Sequence, residues 1–415
     1  MSTLSFKLPP RNTFFNLALS TSLSLSASYV NPYIQPTITA GELILPHRPS
    51  DEKLCEAIGE FVGHLTEGEY GLMPPLGPDA VRLGNLRAFL SKAIGASVGL
   101  RAEELLRAYT KYVRSLARKG RLVDELEDAL GEFKDGYPKD AEVCEVPMLS
   151  ALAPEFMEGI RMLGTIGFKA VSGKFSFSRM RIGPHSACLG IAGLWASLFA
   201  AEGNLEYFIF PYMSTGKLRM RVGDARDAKR KEAQTLRGCV PRSISSLALA
   251  VALSTAGIPT PARRMVLVIV QRGGKRVDLM EQGLPLSLDA LLTFADKLYQ
   301  GEAPQHEEVR QKLLRLMVAA LREPRARAEE AQNARRLHVV GLRASQLIYL
   351  ALMGVLRPDE VRYELARSFY AQSDSEFEGY ARRKGALLTP RDVERIATAI
   401  EEVSTKAEVL GPAFA

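Results

Sequence analysis

The 415-residue sequence predicts an α+β protein, with mixed helix and strand in its N-terminal and middle regions followed by a C-terminal all-helical bundle. Three observations carry this. Hydrophobic residues make up 47% of the chain and charged residues 24%, an ordinary balance for a protein with a substantial core. Period-two alternation and short apolar runs recur up to Pro285 and then stop. Beyond Pro285, apolar residues recur at helical spacing, with prolines at or near several starts. Three segments follow: an N-terminal α+β domain (1–166), a basic α+β region (167–284) and a helical bundle (285–415).

In order along the chain, alternating residues punctuated by Pro32, Pro36, Pro46 and Pro49 read as short strands and turns. The stretch Phe14 to Ala27, preceded by Lys7 and Arg11, loosely imitates a secretory signal. Asn16 and the many Ser and Thr residues favour a strand or helix of the folded domain instead. Helices are predicted over Asp51 to Leu65, Pro78 to Val98 and Ala102 to Arg118. The last buries Leu105, Leu106, Tyr109, Tyr112, Val113 and Leu116 and turns Arg107, Lys111, Arg114 and Arg118 to water. Ser186 to Ala201 reads as a buried helix and Leu205 to Tyr212 as an apolar strand. Lys217 to Val222 alternates charge and hydrophobe, which places Lys217, Arg219 and Arg221 on one face of a strand. Arg226 to Lys231 reads as a loop or short helix. A second apolar helix follows at Ser243 to Thr255, and Met265 to Gln271 with Arg276 to Met280 reads as a hairpin around Gly273-Gly274. The bundle helices are placed at Ser287 to Gln300, His306 to Arg322, Arg335 to Val355, Pro358 to Gln372 and Pro390 to Leu410.

Composition narrows the setting. Four cysteines, Cys55, Cys144, Cys188 and Cys239, form no CxxC pair, so neither a disulfide framework nor a zinc ribbon is indicated, and a reducing, cytoplasmic location fits. No apolar run reaches the roughly 18 to 20 residues that span a bilayer, so no membrane partner is expected. The low content of Asn (6) and Gln (10) suggests a thermophilic source.

Charge is unevenly placed. Residues 167–276 hold 18 basic and 5 acidic side chains, whereas 1–166 hold 17 and 21 and 277–415 hold 19 and 21. A localised excess points to a localised polyanionic partner, nucleic acid above all. Its members fall into groups. Lys169, Lys174, Arg179 and Arg181 interleave with Phe168, Phe175 and Phe177, which suits phosphate pairing with base stacking or, equally, a strand with core phenylalanines. The alternating row Lys217, Arg219 and Arg221 is followed by Arg226, Lys229, Arg230 and Lys231. Arg237, Arg242, Arg263 and Arg264 add charge, and Arg272, Lys275 and Arg276 sit at the hairpin tip.

Catalytic patterns are sparse. Gly167 to Phe175 imitates a phosphate loop, but its glycines are one residue too far apart and Phe175 stands where a magnesium-binding hydroxyl is needed. None of His47, His64, His185, His306 and His338 has the spacing of a helical metal site, so no cofactor or metal is expected. Cys188 with His185 leaves a thiol nucleophile open beside the simpler reading of a core cysteine and a capping histidine. An enzyme acting on RNA or DNA, or a structural protein with a basic face, therefore stand as alternatives.

From Lys174-Phe175-Ser176-Phe177-Ser178, through Pro184-His185-Ser186-Ala187-Cys188-Leu189 and the apolar helix Gly190 to Ala201, the sequence resembles the large subunit of archaeal type I, particularly type I-A, CRISPR interference complexes. Glu206 to Pro211, Gly216-Lys217-Leu218 and the helix Ser243 to Thr255 continue the resemblance, which covers about a quarter of the chain. It implies a non-catalytic component of a crRNA-guided complex that contacts target DNA near the protospacer-adjacent motif and helps recruit the nuclease-helicase. The other complex subunits would then be its protein partners. Some relatives carry paired cysteines near Pro184 to Cys188; here Cys188 stands alone and no metal is carried over.

Overall fold

The uncharged stretch that imitates a signal segment is a buried helix, α1 (Phe14–Val30), in the computed structural model. The structure describes residues 3–409 except 10–13, 40, 77–82, 132, 135–136, 139–143, 146–180, 212–215, 218–219, 242, 274–275, 286–287, 301–303, 323–329 and 371–373. For residues 131, 133–134, 137–138, 144–145, 181–182, 216–217, 272–273, 276–285, 304 and 405–409 it describes the backbone alone. Packing divides the chain into two units: residues 1–233 with 264–285, and residues 234–263 with 286–415. The three consecutive segments are thus not the packed units. Residues 234–263 join the C-terminal helices, while the 265–285 hairpin belongs to the first unit.

In the first unit α1 is uncharged and buried along nearly its whole length. Ser20 and Ser28 donate to carbonyls one turn back, those of Leu17 and Leu25, while the Thr21, Ser22 and Ser26 hydroxyls are buried with no hydrogen-bond partner among the described residues. Beside it runs α6 (Pro184–Ser197), whose residues from His185 onward are all buried. The two approach so closely that a Cβ on Gly193 would collide with the Ala18 carbonyl oxygen. Between them in sequence come α2 (Asp51–Thr66), capped by the Ser50 hydroxyl, α3 (Gly84–Ile94), α4 (Ala102–Ala117) and α5 (Leu122–Gly131). The amphipathic pattern of α4 holds: Leu105, Leu106, Tyr109, Val113 and Leu116 are buried, and Arg107, Lys111, Arg114 and Arg118 are exposed.

Two antiparallel four-stranded sheets flank these helices. The first contains β1 (Leu4–Lys7), β2 (Thr37–Ile38) and β3 (Glu42–Leu45), with β1 opposite β3 from Leu4↔Leu45 to Lys7↔Glu42. Two small pairs follow, β4 (Phe133–Lys134) with β5 (Tyr137–Pro138) and β6 (Cys144–Glu145) with β7 (Arg181–Ile182). The second sheet begins where α6 ends. The expected helix to Ala201 stops at Ser197, and Leu198–Glu202 is a strand, β8, which turns at Gly203 into β9 (Leu205–Pro211). Next, β10 (Gly216–Lys217) pairs with β2 and closes the first sheet in the order β1-β3-β2-β10. The hairpin β11 (Met265–Gly273) and β12 (Arg276–Pro285) completes the second as β12-β11-β9-β8. The Phe14 ring seats edge-on against Phe208 and Phe210 of β9, at 5.1 and 5.4 Å between centroids, and so fixes α1 to that sheet.

Of the segment expected as a six-residue strand, Lys217 to Val222, Lys217 ends the two-residue strand β10, residues 218–219 lie outside the described residues, and Val222 already starts the helix α7 (Val222–Leu236). Met220 is buried and Arg221 exposed, but neither belongs to a strand, because the backbone has left the sheet. Val222 N–H donates to Ile34 and Gly223 N–H to Pro32, which pins the start of α7 to the 32–34 turn.

The second unit is helical, as the sequence indicated. Its central helix, α8 (Ile244–Ser254), is Leu- and Ala-rich, capped by Ser243 and buried along nearly its whole length. Against it pack α9 (Asp289–Gln300), α10 (Pro304–Leu321) and α11 (Ala331–Leu352), and on these pack α12 (Pro358–Tyr370), α13 (Ser375–Arg383) and α14 (Pro390–Val409). Among them α13, capped by Asp374, was not anticipated. Arg263 is wholly interior: its guanidinium donates to Asp296, to the Thr255 carbonyl at 3.2 Å and to the Leu292 carbonyl at 2.9 Å. Among the described residues no helix is long and apolar enough to cross a membrane.

Candidate nucleic-acid interface

The structure sorts the sequence-predicted cations into distinct fates. Lys169, Lys174, Arg179, Arg219, Arg242 and Lys275 lie outside the described residues, as does the phosphate-loop imitation at 167–175. Arg181 stands opposite Glu145 in the β6–β7 pair, and Lys217 stands opposite Thr37 at the outer strand of the first sheet. Arg272 and Arg276 occupy the closed end of the β11–β12 hairpin.

The cluster from Arg226 to Lys231 is neither a loop nor a uniform cationic face. It forms two turns of α7, and helical geometry points most of its cations inward. Lys229 is buried; its ammonium donates to Glu232 at 2.6 Å and to the Ile209 carbonyl of β9 at 2.7 Å. Burial holds the Glu232 carboxyl above its ordinary value, while the neighbouring ammonium pulls it back down. Lys229 is therefore a structural tie between helix and sheet, closed to any phosphate. This corrects its placement in the interface.

Arg226 and Arg230 converge on one aromatic ring. The Arg226 guanidinium lies 5.0 Å from the centroid of Tyr29, and Arg230 donates to the Tyr29 hydroxyl at 3.2 Å and pairs with Glu69 at 2.7 Å. Tyr29 shares a 2.6 Å hydrogen bond with Tyr70, and burial raises both phenol pKa values. His64 stacks on the other side of Tyr29 with its Nδ1 3.0 Å from Glu69. His64, Glu67 and Glu69 form a group of metal-ligand type that sequence spacing passed over. Arg230 already neutralises Glu69, so a cation there would meet a resident positive charge. These arginines brace α1, α2 and α7 against one another.

What remains outward-facing is narrower. Lys231 and Arg237 are exposed. Arg221 is exposed and lies 5.4 Å over the ring of Tyr33, which is itself 70% exposed. The Tyr33 turn is set by Asn31, whose side-chain oxygen accepts from the Tyr33 N–H at 2.9 Å, and by the backbone pins from Val222 and Gly223. An arginine stacked on an uncovered tyrosine, beside the outer strand that carries Lys217, offers a phosphate contact and a stacking face together. The sequence analysis missed Tyr33, since a lone tyrosine in a Pro-flanked turn carries no pattern.

The residues of the thiol alternative lie in the interior. His185 and Cys188 are both buried in α6. The Tyr109 hydroxyl and His185 Nδ1 share a 2.9 Å hydrogen bond. Burial lowers the His185 pKa to about 4. Among the described residues the pair packs α4 against α6. Cys55, Cys188 and Cys239 form no disulfide. No protein-family model and no curated protein sequence matches the chain.

Proposed function

We propose that the chain is the non-catalytic large subunit of a crRNA-guided CRISPR interference complex of the type I-A kind, cytoplasmic and archaeal, which holds target DNA near the protospacer-adjacent motif and helps recruit the nuclease-helicase. The observation that carries the nucleic-acid part of this reading is the basic excess, 18 against 5, confined to residues 167–276. The exposed Arg221–Tyr33 pair next to the Lys217 strand supports it with a surface of suitable chemistry. The CRISPR setting rests on the sequence resemblance between Lys174 and Thr255. Pairing with the guide would read most of the target, leaving the protein to hold backbone and a short duplex element.

The test is the salt dependence of binding to a fluorescent DNA duplex by the full chain. Each neutralised phosphate releases counterions, so affinity falls steeply with salt. Replacing Lys217, Arg219 and Arg221 together by alanine is expected to lower the log–log slope by about 2 to 3. An unaltered slope, or metal-dependent strand scission by the pure protein, would overturn the reading.

A further inference from the structure

The C-terminal unit pairs most of its described arginines with carboxylates. Arg336 bonds to Asp374, Arg343 to Glu364, Arg362 to Glu394 and Arg383 to Glu330. Arg315, Arg322 and Lys384 depart from this habit: among the described residues none has a carboxylate partner, yet all three line one cavity of about 460 Å³. Arg315 and Arg322 stand seven residues apart, on and just beyond α10, hence on one side about two turns or roughly 10 Å from each other. Lys384 reaches in from the end of α13 with its ammonium 5.3 Å from the Tyr380 ring. Gly385, at φ +64°, keeps the space beside Arg315 clear, since a Cβ there would strike the guanidinium.

Beneath this exposed cationic rim the wall is apolar, formed by Leu314 and Val318 of α10, Leu337 of α11 and the ring of Tyr380. Three like charges around a concavity repel one another, and an anion bridging them removes that cost. A small inorganic anion would satisfy the rim but leave the floor wet. The complementary ligand joins a phosphate to a flat, largely apolar body, and the volume suits a group of nucleotide size. We infer that this cavity is a nucleotide-binding site, with phosphate on Arg315, Arg322 and Lys384 and the base against the half-buried Leu314 and Val318. The site lies in a segment with a net charge near zero, so it goes beyond the basic-segment reading above and stands or falls separately.

The nucleotide can be free or part of a single strand, and two probes separate the cases by calorimetry on the full chain. One is adenosine monophosphate. The other is an eight-residue oligothymidylate, titrated against protein already carrying Lys217→Ala, Arg219→Ala and Arg221→Ala. Arg315 and Arg322 are exposed, so Arg315→Ala with Arg322→Ala should leave the far-ultraviolet circular dichroism unchanged while weakening the bound probe tenfold or more. Arg315→Lys with Arg322→Lys, which keeps the charges, should retain most of the affinity. Loss with adenosine monophosphate identifies a free nucleotide, and loss with the oligomer alone identifies a nucleotide within a strand. Equal binding by wild type and alanine variant, or binding of neither probe, overturns the inference, as does capture of polyglutamate in place of both. Duplex salt slopes do not depend on Arg315 or Arg322, so the two proposals cannot be confused in failure.

Discussion

Replacing Lys229 by alanine separates a structural cation from a nucleic-acid contact. The Lys229 side chain is 4% exposed and that of Glu232 7%, and their charged atoms lie 2.6 Å apart with the Ile209 carbonyl as third partner. Removing the ammonium leaves a carboxylate without its counter-ion in the interior and frees the β9 carbonyl. Breaking one half of such a pair costs about 3 to 5 kcal/mol. At about 2 to 4 °C per kcal/mol for a unit of this size, melting should fall by on the order of 10 °C. Removing both charges with Lys229→Met and Glu232→Leu should recover most of that loss, because two isosteric apolar groups need no partner. Thermal denaturation followed by circular dichroism reads both variants, and the duplex salt slope of folded Lys229→Ala should equal that of wild type. A variant that melts with wild type yet binds DNA with a lower slope would refute the inward role of Lys229.

Other expectations follow from the same structure. His185 has a folded pKa of about 4 against an ordinary value of 6.5, so the unfolded chain takes up a proton that the folded one refuses. Stability is therefore full above pH 6.5 and declines as pH falls toward 4, by roughly 3 kcal/mol if this group acts alone. Urea titrations across that range should show the decline, and His185→Gln should flatten it. Gly193→Ala should force α1 and α6 apart at Ala18, costing about 1 to 3 kcal/mol and lowering the denaturation midpoint. Tyr33→Ala, at an exposed site, should leave stability unchanged and weaken single-strand binding by about 1 to 3 kcal/mol without altering the salt slope. A changed slope would mean that Tyr33 acts through Arg221 rather than by stacking.

The α+β plan was legible because its signals are local. Helical spacing in α4, the Ser243 cap of α8 and the glycine-marked β11–β12 hairpin each follow from a dozen residues or fewer. The errors lie where a local rule met a tertiary one. Lys217 to Val222 alternates as a strand does, but the turn at 32–34 captures Val222 and Gly223 and starts a helix instead. Apolar residues from Ser186 onward continue without a break through Leu198, so composition alone could not reveal that the helix gives way to β8. The basic cluster of α7 reads from sequence as a loop or short helix facing nucleic acid, because lysine is seldom buried. Its opposite-charge spacing, Lys229 to Glu232, was the signal that a buried pair was available. Tyr29, Tyr70 and Glu69, which hold Arg226 and Arg230, come from elements more than 150 residues away in sequence, beyond what any window can see.

The pairing of β9 with β11 also sets the order in which the chain can be completed. Seven residues of β9, Leu-Glu-Tyr-Phe-Ile-Phe-Pro, find their second neighbour only after residues 234–263, which belong to the other unit, have been made. Until then β9 has β8 on one side and an unpaired, strongly apolar edge on the other, a template for pairing with a second chain. A fragment ending at residue 233 would keep that edge permanently and should aggregate. One that rejoins residues 264–285 through a short linker would cover it, and is the form in which the first unit should be sought alone.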